Sequence, residues 1–328
     1  MEIRSFGRTE LKISVLTLGC GAVGGLMTQG RSVDQDRAVA WARDNGINHF
    51  DTAPSYGDTI SETNLGRALG RYRQDIVVST KIGFSAEDFS DIYGAARRSI
   101  TSSLKRLRQD HIDILQLHNT VDNSSTPGTL TLNHVINDVL PAFSKLKSEG
   151  MARYIGFTAK GDTTALHKMV ETEQFDSSQV FYNLLVPSAG EKISDGYPAQ
   201  DYRQLLQSCQ NHKVGTIGVR ILAGGALSGS LDRHPLGMKK VDPIGSGDSY
   251  SIDVNRAVLF KPLVDLGYAS TLPELSVRYS ISSNAISTVE IGIATLEELA
   301  AATQAVNKGV LPEEALAHIR TIQSDFVG

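Results

Sequence analysis

Residues 48–69 read Asn-His-Phe-Asp-Thr-Ala-Pro-Ser-Tyr-Gly-Asp-Thr-Ile-Ser-Glu-Thr-Asn-Leu-Gly-Arg-Ala-Leu. This stretch predicts a short strand that ends at Asp51, because Pro54 cannot continue the hydrogen-bond ladder of a sheet. Tyr56 then lies on a loop, and a helix begins near Ser61. A carboxylate at the end of a strand, with a phenol on the loop behind it, is unusual in simple packing. We therefore interpret the pair as one half of an active site.

The rest of the chain repeats the order of a short strand followed by a helix. The strands are short apolar runs, as in parallel sheets that are buried on both faces. They cover residues 15–19, 49–51, 76–81, 112–118, 154–158, 179–183, 216–222 and 286–291. These units predict an α/β fold, a (β/α)8 TIM barrel with a short N-terminal β-hairpin in residues 3–13 and an extra C-terminal helix in residues 312–326. No linker or shift in composition divides the chain, so we expect residues 1–328 to form one domain.

The composition argues against several classes of function. The 328 residues carry a formal net charge of -4, which gives no attraction for nucleic acid or an acidic membrane surface. No apolar run reaches the roughly 18 residues of a membrane-spanning helix, and the first residues do not resemble a signal peptide. Cys20 and Cys209 are too few for a disulfide framework or a zinc site. We expect a cytoplasmic protein with no membrane or nucleic-acid partner, and its oligomeric state is left open.

Polar side chains stand at the ends of three successive predicted strands. Asp51 ends the second strand and Tyr56 follows it, Lys81 ends the third strand, and His118 ends the fourth. Each has an ordinary structural explanation when taken singly, as a turn cap, a solvated cation or an inert histidine. The active sites of TIM barrels lie at the C-terminal ends of the strands. Four such residues together therefore predict a catalytic site.

The chemistry of these four residues fits together. A tyrosine has a pKa of about 10, and a neighbouring ammonium such as that of Lys81 stabilises the phenolate and lowers that pKa. An aspartate beside the lysine keeps the ammonium charged when it is buried. A histidine can donate a hydrogen bond that orients a substrate oxygen. The set predicts proton transfer to or from the oxygen of a carbonyl or an alcohol. The sequence has no serine-protease type of nucleophile and no metal-ligand spacing.

A glycine pattern gives a competing interpretation. Residues 19–24 match G-x-G-x-x-G after a strand, which would predict a Rossmann dinucleotide site with Asp51 binding the ribose. In that motif the helix should begin at once, but residues 25–30 intervene and the helix begins near Ser32. Eight strand–helix units also exceed the six strands of that fold. We favour tight packing and a flexible loop as the role of these glycines.

Several segments together make a resemblance to a known family specific. They are residues 6–9, 50–57, 61–69, 79–81, 113–118, 153–158 and 179–183. Over almost its full length the chain resembles the aldo/keto reductases. The resemblance implies a barrel with a nicotinamide cofactor, NAD or NADP, extended across its mouth. It implies Tyr56 as general acid/base, Lys81 and Asp51 tuning it, and His118 positioning the carbonyl of a small-molecule substrate.

The same resemblance implies a set of cofactor contacts. Thr158 and Gln179 fall where the family holds the nicotinamide carboxamide, although Ala159 lacks the amide that the family often has beside it. Val219 stands where the family often stacks an aromatic ring, and the role of Arg220 is unexplained. The positions that fall in the pyrophosphate loop are Leu222, Ala223 and Gly225, and those at the adenosine end are Gly292, Ile293, Thr295 and Glu298.

The adenosine end departs from the family pattern. The family commonly places a lysine or arginine after the glycine to pair with the 2′-phosphate of NADP. Ile293, Ala294 and Thr295 carry no charge here. A phosphate without a cationic partner is less favoured, so the sequence leans towards NAD.

Two other functions stay open, and the substrate is undetermined. Lys81 could form a Schiff base in a lyase or isomerase barrel, which borohydride trapping would reveal. The chain could also be a nicotinamide-binding sensor or subunit with little turnover. For an oxidoreductase, the substrate would be an aldehyde, ketone, sugar or alcohol. The polar loops at residues 119–133 and 227–250 hint at a hydroxylated substrate such as a sugar.

Overall fold

Eight parallel strands close into a barrel in the computed structural model of the chain, which describes residues 1–70, 75–123 and 128–326. The strands are β1 Ile3–Ser5, β2 Lys12–Ser14, β3 Leu16–Gly19, β4 His49–Asp51, β5 Val77–Ile82, β6 Ile112–Leu117, β7 Thr120–Val121, β8 Thr129–Leu130, β9 Ala152–Thr158, β10 Ser177–Phe181, β11 Gly215–Val219 and β12 Thr288–Gly292. The barrel order is β3-β4-β5-β6-β9-β10-β11-β12, and β12 pairs with β3 to close it. The predicted (β/α)8 fold is confirmed.

Helices surround the barrel and connect its strands. They are α1 Leu26–Gln29, α2 Ser32–Asp44, α3 Ile60–Leu69, α4 Ile92–Leu107, α5 Leu132–His134, α6 Leu140–Ser148, α7 Thr163–Glu171, α8 Leu205–Asn211, α9 Tyr250–Val258, α10 Lys261–Asp265, α11 Leu272–Ile281, α12 Leu296–Asn307 and α13 Glu313–Ser324. Short 3-10 turns cover Ala86–Ser90 and Ala223–Ser228, and a π turn covers Val135–Val139. None of the helices in the described ranges is long and apolar enough to cross a membrane.

The N-terminal hairpin closes the bottom of the barrel. β1 and β2 pair antiparallel, and the turn between them inserts Phe6 against Ile114 and Ile217. Gly7 has a φ of 55°, and a Cβ there would overlap the backbone at Gly215. The hairpin therefore seats against the strands only with glycine at this turn. The hairpin therefore covers one end of the barrel, and the polar side chains at the C-terminal ends of the strands lie at the other end.

Two strands end two or three residues earlier than the apolar pattern predicts. β10 stops at Phe181 rather than at residue 183, because the Asn183 side chain accepts hydrogen bonds from the backbone of Leu185 at 2.8 Å and Val186 at 3.1 Å and makes a turn. β11 stops at Val219 rather than at residue 222, because Arg220 takes a left-handed φ of 58°. Both corrections come from local backbone geometry that hydrophobicity does not encode.

Candidate active site

The C-terminal ends of three adjacent strands bring the predicted catalytic residues together. Asp51 is the last residue of β4, Lys81 lies near the end of β5, and His118 directly follows β6. The Lys81 ammonium donates to Asp51 Oδ2 and, at 3.0 Å, to the carbonyl of Thr52. The same Nζ lies 4.8 Å from the centroid of the Tyr56 ring. The rings of Tyr56 and His118 meet edge to face with centroids 5.9 Å apart.

Lys81 and Asp51 form a buried ion pair. Their side chains are 1% and 0% exposed. Burial is the largest single effect and lowers the pKa of Lys81, but the attractions to Asp51, Tyr56 and Glu290 together outweigh it and raise the net pKa above its ordinary value. Lys81 is therefore a permanent cation under the Tyr56 ring at neutral pH.

The tyrosine departs from the sequence-based expectation in one respect. Burial raises the pKa of Tyr56 to about 12, although the charge on Lys81 acts in the opposite direction. Lys81 lowers the pKa as expected, but the net pKa is raised because removal of the phenol from water outweighs the nearby ammonium. Tyr56 therefore keeps its proton over the physiological range and can act as a proton donor.

His118 is held neutral. Burial is the largest cause, and the ammonium groups of Lys81 and Lys160 add to it, so that the pKa of His118 falls to about 3. A neutral imidazole can both donate and accept a hydrogen bond. Lys160, which lies two residues beyond the end of β9, was missed from the sequence. Only its position after a strand end could have indicated it.

A hydrogen-bonded column runs down the barrel below the ion pair. Ser79 Oγ donates to Asp51 Oδ1 at 2.6 Å and lies 3.0 Å from His49 Nε2. His49 Nδ1 lies 2.7 Å from Thr17 Oγ1, which lies 2.7 Å from Thr288 Oγ1. Every member is buried. The column was not predicted, and it fixes the orientation of Asp51 from beneath.

Gln179 joins the predicted cofactor contacts to the catalytic group. Thr158 and Gln179 are register partners on β9 and β10, and Thr158 Oγ1 donates to Gln179 Oε1 at 3.0 Å. Gln179 Nε2 donates to Asp51 Oδ1 at 2.9 Å and to Glu290 Oε2 at 3.2 Å. Glu290, on β12, was missed, and its signal is an acid inside an apolar strand sequence.

The loop after β11 lies among arginines. Leu222 precedes the 3-10 turn that contains Ala223 and Gly225, and Gly225 has a φ of 108°. A Cβ at Gly225 would lie 3.0 Å from Arg233 Nη1. Arg233 also donates from Nε to a backbone carbonyl of its own loop at 2.7 Å. Arg220 donates to another carbonyl of that loop. Two guanidinium groups against a glycine backbone fit a pyrophosphate.

The glycines of residues 19–24 serve packing. A Cβ at Gly24 would overlap the backbone of Ile293. The single-turn helix α1 begins at Leu26, sooner after the motif than the sequence predicts, but the long helix α2 begins only at Ser32. The Asp51 carboxylate is occupied by Lys81, Ser79 and Gln179 and is not free to bind a ribose. A Rossmann site does not form here.

Comparison with known proteins identifies the family. The aldo/keto reductase family model matches residues 15–324. The chain belongs to the aldo/keto reductase family. It is 28% identical over 338 residues to L-galactose dehydrogenase of Arabidopsis thaliana, covering 98% of this chain and 94% of that protein. It is 27% identical over 317 residues to a probable voltage-gated potassium channel subunit beta of Arabidopsis thaliana, covering 89% and 87%.

Solved structures agree with the fold. A holo-form aldo-keto reductase from Bacillus halodurans superposes with a TM-score of 0.75 at 24% identity, covering 100% of this chain and 98% of that one. At this identity the similarity supports the barrel fold and no conclusion about function. Family membership and the similarity to L-galactose dehydrogenase place the chain among oxidoreductases.

The last group of predicted residues in this aldo/keto reductase surrounds the start of α12. Ile293 is buried, and its carbonyl accepts from Leu26 N at 3.1 Å, while Gly292 is exposed. Thr295 caps α12 by accepting from Glu298 N at 3.4 Å, and Glu298 Oε2 accepts from the backbone at residue 294 at 2.6 Å. The first turn of α12 is acidic.

Proposed function

We propose that this aldo/keto reductase interconverts a carbonyl and an alcohol by hydride transfer with NAD(P), using Tyr56 as the general acid/base. The proposal rests on one arrangement of side chains. The Lys81 ammonium is bound to the Asp51 carboxylate and also lies 4.8 Å from the centroid of the Tyr56 ring, and His118 lies beside that ring. This arrangement suits the transfer of one proton at one oxygen.

The steps follow from the protonation states of the side chains. A nicotinamide, when bound, supplies or accepts the hydride. His118, neutral, donates from a ring N–H to the carbonyl oxygen and holds it towards Tyr56. As negative charge develops on that oxygen, the Tyr56 hydroxyl donates its proton, and Lys81 stabilises the phenolate that remains. In the oxidative direction the phenolate removes the proton from the alcohol.

The proposed cofactor site crosses the mouth from Gln179 to α12. Thr158 and Gln179 would hold the carboxamide, and the backbone of Leu222, Ala223 and Gly225 would face the pyrophosphate. The adenosine contacts would come from Gly292, Ile293, Thr295 and Glu298. The carboxylates of Glu297 and Glu298 in the first turn of α12 repel a 2′-phosphate, which favours NAD. Titration of the protein with NAD and NADP tests this preference.

The similarity to L-galactose dehydrogenase supports a hydroxylated substrate such as a sugar. A panel of aldoses, simple aldehydes and ketones, assayed with the preferred cofactor, would define the class. Residues 124–127 of the polar loop expected to frame the pocket lie outside the described residues.

The deciding experiment replaces Tyr56 with phenylalanine. We expect loss of turnover by roughly a thousand-fold or more, because the proton donor is gone, while cofactor affinity measured by fluorescence stays within about two-fold. Tyr93→Phe, near the start of α4, is the matched control and should retain full activity. If Tyr56→Phe retained turnover, Tyr56 could not be the general acid/base.

The similarity to a channel subunit favours one alternative, a nicotinamide-binding subunit with little turnover. Tight cofactor binding without turnover of any member of the panel would favour it. A Schiff-base enzyme is disfavoured, since the raised pKa of Lys81 keeps its amine protonated and not nucleophilic. Borohydride trapping of substrate on Lys81 would overturn that argument.

A further inference from the structure

Glu290 is a second carboxyl group of the barrel mouth that the proposed mechanism does not use. It stands on β12, partly exposed, in a strand whose other side chains are apolar or small. Its Oε2 accepts from Gln179 Nε2, which also donates to Asp51. A Cβ on the neighbouring strand at Gly19 would lie 2.8 Å from Glu290 Oε1. Glycine at that position leaves room for the carboxyl group where it now lies.

The proposed reaction places the nicotinamide ring above these groups. Hydride transfer needs the donor and acceptor carbons about 3–3.5 Å apart. In the proposed function Tyr56 and His118 would hold the carbonyl oxygen, and Gln179 would hold the nicotinamide carboxamide. Gln179 donates to both Asp51 and Glu290, so these three side chains, which we call the floor, would lie close to a bound nicotinamide.

The net charge of this floor depends on whether Glu290 is ionised. Asp51 and Lys81 form an ion pair and cancel formally. Two other titratable groups, Tyr56 and Cys20, also interact electrostatically with Glu290. Both are neutral over the physiological range, because burial raises their pKa values. The oxidised nicotinamide ring carries one positive charge, and the reduced ring carries none. A carboxylate in the floor therefore distinguishes the two forms.

We propose that Glu290 sets the redox form of the cofactor that the protein prefers, by placing a carboxylate near the oxidised nicotinamide ring. This inference rests on the proposed function. It assigns Glu290 a positioning role towards the cofactor rather than a part in the proton transfer. In its ionised form Glu290 favours oxidised cofactor and hence oxidation of an alcohol.

The protonation of Glu290 makes the preference depend on pH. Burial, followed by repulsion from Asp51, raises the pKa of Glu290 to about 8. Below that pH the group is neutral and attracts neither form. Above it the carboxylate attracts the oxidised ring, so binding of oxidised cofactor releases a proton and strengthens as the pH rises.

The test measures the dissociation constants of oxidised and reduced cofactor from about pH 6 to about pH 9. In the wild-type protein, we expect the dissociation constant of the oxidised cofactor, divided by that of the reduced cofactor, to fall about ten-fold as the pH rises. This change corresponds to a drop of about one unit in the pKa of Glu290 when oxidised cofactor binds. Glu290→Gln keeps an acceptor for Gln179 but cannot ionise, and its ratio should not change with pH. Glu290→Asp retains a carboxylate and should restore part of the dependence. Glu171→Gln, an exposed carboxylate on α7 bound to Lys168, is the control and should match the wild type.

The outcomes separate this inference from the proposed function. If the wild-type protein binds neither cofactor form, the proposed function fails. If it binds both and its ratio is independent of pH, or if Glu290→Gln keeps the wild-type dependence, the inference about Glu290 is overturned and the proposed function stands. Thermal melting of each variant distinguishes loss of binding from loss of fold.

Discussion

At the scale of single residues, Asp51 contributes more than any other neighbour to keeping Lys81 charged. The ammonium is 1% exposed, and it donates to the Asp51 carboxylate and to the Thr52 carbonyl. A carbonyl is a dipole and cannot neutralise a buried cation. Asp51 therefore stabilises both the fold and the protonation state of Lys81 that the proposed role of Tyr56 requires.

Asp51→Asn should unfold more easily than the wild type by about 3–5 kcal/mol, because it leaves the Lys81 ammonium buried without a counter-charge. Adding Lys81→Met removes that charge, and the double variant should recover much of the lost stability. Neither variant should turn over substrate. Urea unfolding measures the stability, and Asp36→Asn, on the exposed side of α2, serves as the control. Equal stability of the single variant and the wild type would contradict the assigned role of Asp51.

At the scale of elements, α3 carries the loop of Tyr56 into the site and is held against α4. Glu62 accepts from Arg106 Nε at 2.7 Å and from Thr80 Oγ1 at 2.6 Å, which ties α3 to both α4 and β5. Beside it, a Cβ at Gly66 would lie 2.8 Å from the Cα of Leu107. The two helices can approach this closely only because Gly66 has no side chain.

Gly66→Ala should therefore push α3 away from α4 and destabilise the fold by about 1–3 kcal/mol, the usual cost of overpacking. Gly83→Ala is the matched control, because a Cβ there would meet only Asn119 Oδ1 at an ordinary 3.9 Å. Thermal unfolding of both variants checks the prediction. A Gly66→Ala protein as stable as the control would show that the helices can separate without cost.

At the scale of the whole molecule, sequence reasoning succeeded for the residues at strand ends. Asp51, Lys81 and His118 could be placed together because parallel strands end at one edge of a barrel. Arg233 could not be placed, because it reaches the carbonyl of Gly224 only through the fold of a long irregular loop. The contact of Glu290 with a glutamine two strands away depends on barrel closure and register. The net pKa of Tyr56 could not be predicted either, because it depends on how deeply the fold buries the phenol.

Two groups inside the barrel, His49 in the buried column and Glu290 on β12, make the stability of the whole barrel depend on pH. Burial lowers the pKa of His49 to about 4, so between that value and its ordinary value the unfolded chain binds more protons than the folded one. His49 therefore stays neutral in the folded barrel at neutral pH, and stability is lost as the pH falls below about 6.5. The sign is reversed for Glu290, whose raised pKa makes the folded state bind more protons, so stability is lost as the pH rises towards about 8.

The two contributions overlap and offset each other between pH 4.5 and pH 6.5, which predicts a broad stability maximum there. Each contribution can be removed separately. His49→Gln should lose less stability than the wild type on going from about pH 7 to about pH 4, with a difference on the order of 3 kcal/mol. Glu290→Gln should lose less between about pH 5 and about pH 9, and should match the wild type at the acid end. Chemical unfolding at each pH supplies the curves. Parallel curves for the wild type and both variants would mean that neither group titrates differently in the folded barrel, and the electrostatic account of its core would have to be abandoned.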